Sequence, residues 1–211
     1  MCHLWSSYVW NYLSLNTEWK TKRIMNVYDF DGTIYNGDST IDFYFYCLKN
    51  DPSIVRFIPR QGIAFFLYFL RKINKTELKE RFFCFLRGLS NVEKAVEGFW
   101  QENDCKIFKW YKEHSQPSDI VISASPYFLL KPICDKLQVG ELIASKVDVV
   151  TGHFEGLNCH GEEKVNLFKK RHPDEEIEEF YSDSTSDSPM AAIANRTFIV
   201  KKGVVQPWPI Q

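Results

Sequence analysis

Apolar residues are grouped in two different ways along this chain, and the change from one to the other divides it. Ile24-Met-Asn-Val-Tyr28 is short, apolar and partly β-branched, the pattern of a buried strand. Residues 39–115 then show helical character. Ile41–Leu48 predicts a first helix, ended by Asn50-Asp51-Pro52. Ile54–Ile73 predicts a second, with Pro59 and Gly62 placed to break its first turns. Asn74 or Thr76 offers an N-cap for a third over Thr76–Leu86, stopped near Gly88. Ser90–Trp100 and Cys105–His114 continue the helical pattern. Asp119-Ile-Val-Ile-Ser123 restores the buried-strand signal. Pro126–Leu137 reads as helix, and Leu142–Val150 as a strand or hairpin. Glu163–Arg171 is helical, Glu178–Ser182 a strand, Pro189–Ala194 a short helix and Thr197–Val200 a last strand. Strands alternating with helices predict an α/β fold, a parallel sheet covered on both faces. The helical block sits as an insertion after the first strand.

Composition narrows the class without changing that picture. The chain has 211 residues, enough for one domain or one domain with a smaller insertion. Apolar residues make up 45% and charged residues 25%, which excludes disordered and coiled-coil readings. A formal charge of −1 does not suit a general nucleic-acid binder. Six scattered cysteines without a C-x-x-C pair argue against a zinc ribbon and a disulfide framework. Free thiols and a cytoplasmic setting are the expectation. The longest apolar run, Gly62–Leu70, is too short to span a bilayer. Met1–Leu15 lacks the basic start and cleavage site of a signal peptide. Residues 1–23 read as a loosely attached extension, or as the product of a start assigned too far upstream. Residues 204–211, with Pro207 and Pro209, read as an irregular tail.

In open α/β sheets, ligands bind at the carboxyl ends of the strands. The first strand ends in Asp29 and Asp31, the second in Ser123, and a later one in Ser182–Asp187. Lys164 opens a helix between the last two. Taken singly, Ser123 reads as a helix cap and Lys164 as a solvated helix residue. Together they gather four carboxylates, a hydroxyl and an ammonium. Carboxylates that close require a counter-charge. A Mg²⁺ ion, which takes a few carboxylates, waters and a phosphate, supplies one. Asp29 and Asp183 could then bind metal through side chains, with the main-chain carbonyl of Asp31 and the carboxylate of Asp187 as further candidates. Ser123, the main-chain N–H of Ala124 and Lys164 could hold a phosphoryl group. Asp29 would be the nucleophile and Asp31 the general acid and base.

Asp29-Phe-Asp-Gly-Thr33, Ser123, Lys164 and Asp183 with Asp187 resemble the four motifs of the haloacid dehalogenase-like hydrolases, in order and spacing. The helical insertion lies where the phosphoserine-phosphatase-like branch carries its cap. The resemblance covers residues 24–200. It implies a Rossmann-like core at 24–37 and 116–203 and an α-helical cap at 38–115. The implied activity is Mg²⁺-dependent hydrolysis of a small phosphomonoester through an aspartyl-phosphate. Transfer to another acceptor, as in a phosphomutase, uses the same nucleophile, and a phosphate-responsive binding module is the reading from outside enzymology. The departures bear on substrate. Asp38 stands where phosphoserine phosphatases carry Glu, Gly32-Thr33 where they carry Ser-Thr, and Ser123-Ala-Ser125 where they carry Ser-Gly-Gly. The cap arginine has no secure counterpart, Arg81 and Arg87 lying nearest. Residues 54–90 hold eight Phe and Tyr and eight Lys and Arg, Lys79 among them, against Glu77 and Glu80. Such a cap suits an anionic metabolite with an apolar or ring-shaped part.

Overall fold

The computed structural model describes residues 24–209. The expectation for residues 1–23 lies outside the described residues. Six strands form one sheet: β1 (Ile24–Tyr28), β2 (Ile120–Pro126), β3 (Glu141–Ser145), β4 (Glu176–Ser182), β5 (Ala194–Lys201) and β6 (Val204–Pro207). Their order is β3-β2-β1-β4-β5-β6. The first five run parallel, and β6 returns antiparallel on β5. The sheet is therefore mixed rather than wholly parallel. Lys202 and Gly203 both adopt positive φ, 52° and 79°, and close a tight hairpin between Lys201 and Val204. The expected irregular tail is thus in part an edge strand. Beyond it Trp208 packs on Phe180 of β4.

Side-chain alternation sorts the strands between two apolar layers. Tyr28, Val121, Leu142 and Ala144 enter one, and Val27, Ile120, Ile122 and Ile143 the other. The second layer is covered by α7 (Glu162–Arg171) and α8 (Ser188–Ala191) through Val165, Phe168 and Met190. α6 (Tyr127–Lys136) covers the first layer through Leu129, Leu130 and Ile133.

Every element between β1 and β2 is helical. α1 (Ser39–Asn50) is capped by Asp38, whose carboxylate accepts from the Ile41 N–H. A 3₁₀ segment, Pro52–Phe57, leads into α2 (Ile58–Phe69). Pro59 does not break this helix. It lies in the first turn, where its missing N–H has no intrahelical partner to lose. α3 (Lys75–Phe82) starts at Asn74, not Thr76, because Asn74 and Glu77 bond each other's main-chain N–H groups in a capping box. A 3₁₀ segment, Phe83–Gly88, precedes α4 (Val92–Asn103) and α5 (Lys109–His114). Phe43, Phe83, Phe85 and Phe99 of this block share one buried cluster with Tyr28, Val121 and Leu129. The helical block is thus seated on the sheet by apolar packing.

Candidate active site

The sheet order reverses direction between β1 and β4, where an open parallel sheet leaves a crevice at its carboxyl edge. A cleft of about 660 Å³ opens there. Asp29, Asp31, Ser123, Ala124, Lys164, Asp183 and Asp187, the seven residues singled out from sequence, all line it.

At its floor, Lys164 Nζ donates to Asp29 Oδ1 and to Asp187 Oδ2, each at 2.7 Å. All three side chains are buried. Ser182 Oγ also donates to Asp187 Oδ2, at 2.8 Å. One ammonium therefore serves two carboxylates. Burial pulls the Lys164 pKa down, but Asp29 and Asp187 on either side overcome it and hold the group charged. Burial pushes the Asp29 carboxyl up to about 7 against the pull of Lys164, with Asp187 and Asp31 adding to the rise.

Asp31 is fixed from two elements, α1 and β2. Its Oδ1 accepts from the Ser39 N–H at 2.7 Å, and its Oδ2 accepts from Ser125 Oγ. Thr40 Oγ1 lies 2.9 Å from the same Ser125 hydroxyl. Burial, then Asp38, raises the Asp31 carboxyl to about 6, and the Ser125 and Ser39 donors oppose the rise. Ser125, set apart in sequence only as a departure from Ser-Gly-Gly, is thus a direct partner of Asp31. Ser123 is buried, and its Oγ accepts from the Ser125 N–H at 3.1 Å.

Asp183 faces the Asp29–Gly32 loop across the crevice. A Cβ added to Gly32 would stand 2.3 Å from Asp183 Oδ2, and Gly32 has φ +72°. Glycine is required there on both counts. Gly32→Ala is expected to cost about 1–2 kcal/mol from backbone strain alone, and more from the contact with Asp183. Urea unfolding would measure it, and unchanged stability would show that the loop yields without strain.

Among the described residues, no group of three or more His, Cys, Asp or Glu converges to hold a metal ion on its own. Both carboxylate oxygens of Asp31, Asp29 Oδ1 and Asp187 Oδ2 are committed to the partners already named. That leaves Asp29 Oδ2, Asp187 Oδ1 and the Asp183 carboxylate, which no other described residue's side chain bonds, beside the main-chain carbonyl of Asp31. This all-oxygen set fits Mg²⁺, which keeps several waters and takes few protein ligands.

The roof of the cleft contains a group that the sequence reading did not single out from the eight cations of residues 54–90. Lys79 of α3 reaches down to the sheet, and its Nζ donates to the Ala124 carbonyl at 3.0 Å and to Asn158 Oδ1 at 3.2 Å. Lys75 Nζ lies 3.0 Å from His160 Nε2 at the same mouth. Phe65, Leu78, Phe82 and Phe83 complete an apolar wall. Arg81 does not line the cleft, and Arg87 donates instead to the Thr151 carbonyl.

The fold has counterparts among known structures. A protein of unknown function from Bordetella pertussis Tohama I superposes with a TM-score of 0.70 at 20% identity, over 83% of this chain and 89% of that one. A phospho-aspartyl intermediate analogue of phosphoserine phosphatase gives 0.54 at 17% identity, over 83% and 85%. Cytosolic 5′-nucleotidase IIIB bound to cytidine gives 0.52 at 14% identity, over 81% and 69%. No curated protein matches the chain by sequence. The fold is that of the phosphoserine-phosphatase-like branch, with its helices inserted after the first motif. The model of the haloacid dehalogenase-like hydrolase family matches residues 27–192, and the chain belongs to that family.

Proposed function

We propose that the chain is a Mg²⁺-dependent phosphatase acting on a small phosphomonoester, with Asp29 as nucleophile. The observation that carries this reading is the bridge of Lys164 between Asp29 and Asp187 at the sheet's switch point, facing Asp183. The core would comprise residues 24–37 and 116–203, and the cap residues 38–115.

Asp29 forms a bond to phosphorus as the bond to the leaving oxygen breaks, and Asp31 gives that oxygen its proton. Asp31 then takes a proton from water, which attacks phosphorus, releases phosphate and restores Asp29. A carboxyl held near 6 can run in both directions at neutral pH. Lys164, the Ser123 hydroxyl and the Ala124 N–H stabilise charge on the phosphoryl oxygens, and Asp187 keeps Lys164 in place. Asp29, Asp183 and the Asp31 carbonyl, with Asp187 as a further candidate, would hold Mg²⁺, which when bound would further neutralise those oxygens. The phospho-aspartyl intermediate analogue of phosphoserine phosphatase, a structure of like fold, supports the covalent route.

The free end of the substrate meets Lys79, Lys75 and an aromatic wall rather than the Glu and Arg of an amino-acid site. The reading is therefore an anionic metabolite with an apolar or ring-shaped part, in keeping with a nucleotide-class neighbour. Unpaired thiols at all five described cysteines suit a cytoplasmic enzyme. Phosphate release from a panel of phosphorylated sugars, nucleotides and lipid phosphates, with Mg²⁺ and with EDTA, tests the reading. A preference for phosphoserine would overturn the substrate assignment.

Lys79 gives that assignment a pH signature. Burial, then Lys75, lowers its pKa to about 8, while Asp38, Asp31 and Cys159 pull it upward. The charged form exists below that value. KM for the preferred substrate is expected to rise as pH passes above about 8, with kcat moving less. Lys79→Met is expected to raise KM about 10- to 100-fold, the loss of one charge-assisted hydrogen bond, and to flatten the KM profile around pH 8. An unchanged KM would remove Lys79 from substrate binding.

A further inference from the structure

α2 is turned the wrong way round for a helix that faces water. Gln61 and Ala64 point inward, and Gln61 is held there by the Tyr44 hydroxyl at 2.8 Å and the Phe82 carbonyl at 2.9 Å. Outward point Ile58, Ile63, Phe66, Phe69 and Leu70, with Phe69 81% exposed. At 100° per residue these five fall within one arc of about 140°. Of the fifteen exposed large apolar residues among the described residues, eight lie between Val55 and Leu70. A patch so concentrated marks an interaction surface.

The charges around it say what kind. Residues 52–76 carry Arg56, Arg60, Arg71, Lys72 and Lys75 and no Asp or Glu. All five cations are exposed. Along the helix, Arg56 and Arg60 lie at the N-terminal end of the apolar face, and Arg71 and Lys72 follow its C-terminal end. No acidic side chain among the described residues pairs with any of these four. An apolar helix face flanked by cations is the composition of a helix that lies in the headgroup layer of an anionic bilayer. Its 12 residues are too few to cross one, and no helix of the described residues is long and apolar enough to do so. A second copy of the chain is a poor occupant, because pairing this face with itself would bring two sets of cations together with no counter-charge.

We propose that α2 and its flanking cations dock the cap on an anionic membrane surface, with Phe66 and Phe69 inserted among the lipids. Phe65 sits at the edge of the same helix and also lines the cleft, with its ring 6.4 Å from that of Phe82. Docking would therefore place the mouth of the cleft beside the lipid surface.

The test needs no turnover, so it stands or falls apart from the phosphatase reading. The full chain is sedimented with vesicles of phosphatidylglycerol and phosphatidylcholine, and with phosphatidylcholine alone. Binding to the anionic vesicles that weakens with salt is expected. Phe66→Ser with Phe69→Ser is expected to weaken it about tenfold or more, and Arg71→Glu with Lys72→Glu to do the same. The substituted side chains are exposed, so thermal melts are expected to match wild type; if one pair fails to fold, the other still decides. No binding to anionic vesicles would overturn the proposal. Equal binding by wild type and both variants would place the contact elsewhere in the chain and overturn it too. So would lipid-free self-association that the Phe variants abolish, because the face would then belong to a second copy.

Discussion

Asp29→Asn is expected to abolish Mg²⁺-dependent phosphate release from an aryl phosphate, by on the order of 10⁴- to 10⁶-fold in kcat, while the protein stays folded. The two halves of this expectation have separate grounds. An amide does not attack phosphorus, so the covalent route is lost. The fold survives because Lys164 keeps Asp187 as a counter-ion at 2.7 Å. The substitution also relieves the burial of a carboxylate whose pKa is raised despite its lysine. Loss of that penalty offsets loss of the ion pair, and the melt is expected to move by only a few degrees. Activity loss without unfolding would therefore report chemistry rather than collapse. Residual Mg²⁺-dependent turnover near the wild-type rate would remove Asp29 as nucleophile. A beryllofluoride adduct, formed on the wild type and not on the variant, would give a readout that does not depend on substrate choice.

The residues at the strand ends were legible because a parallel sheet obliges them to converge. Once Ile24–Tyr28, Ile120–Pro126 and Glu176–Ser182 are strands of one sheet, Asp29, Ser123 and Asp183 meet at a shared edge. No local feature of Lys164 marks it. Its meaning came from its order in the chain, and its burial between two carboxylates gives the physical reason. Lys79 was not legible. It lies in a run of charged residues on a short helix, and only the folding of α3 over the end of β2 brings its ammonium to the Ala124 carbonyl. Ser125 likewise needed the approach of α1, which brings Ser39 and Thr40 to it beside Asp31. β6 is signalled by Lys202-Gly203, a turn pair between Lys201 and Val204, although Pro207 and Pro209 signal an irregular end. Helix α2 misleads most, since periodicity alone would bury its rings, and the structure buries Gln61 instead.

Lys164→Met is expected to be the most destabilising single change at the site. Removing the ammonium leaves Asp29 and Asp187 buried and without the one charge that both of them bond. Breaking a buried ion pair from one side costs about 3–5 kcal/mol, because the remaining charge has neither water nor partner. Here two carboxylates are stranded rather than one, which places the expected loss toward the upper part of that range. Urea unfolding without Mg²⁺ measures it. Activity is expected to fall by about 10²- to 10³-fold in the fraction that remains folded, the cost of one electrostatic contact to a developing oxyanion. The two effects separate in a double variant. Adding Asp187→Asn to Lys164→Met removes one stranded carboxylate and replaces it with a neutral group that Ser182 Oγ can still bond. Stability is expected to recover by more than about 1 kcal/mol, a coupling of the size seen between groups in one network. Activity is expected to stay low, since no ammonium returns to the phosphoryl site. Recovery of both would make Lys164 a structural counter-ion alone, and recovery of neither would mean that the lysine stem, not its charge, supports the floor of the cleft.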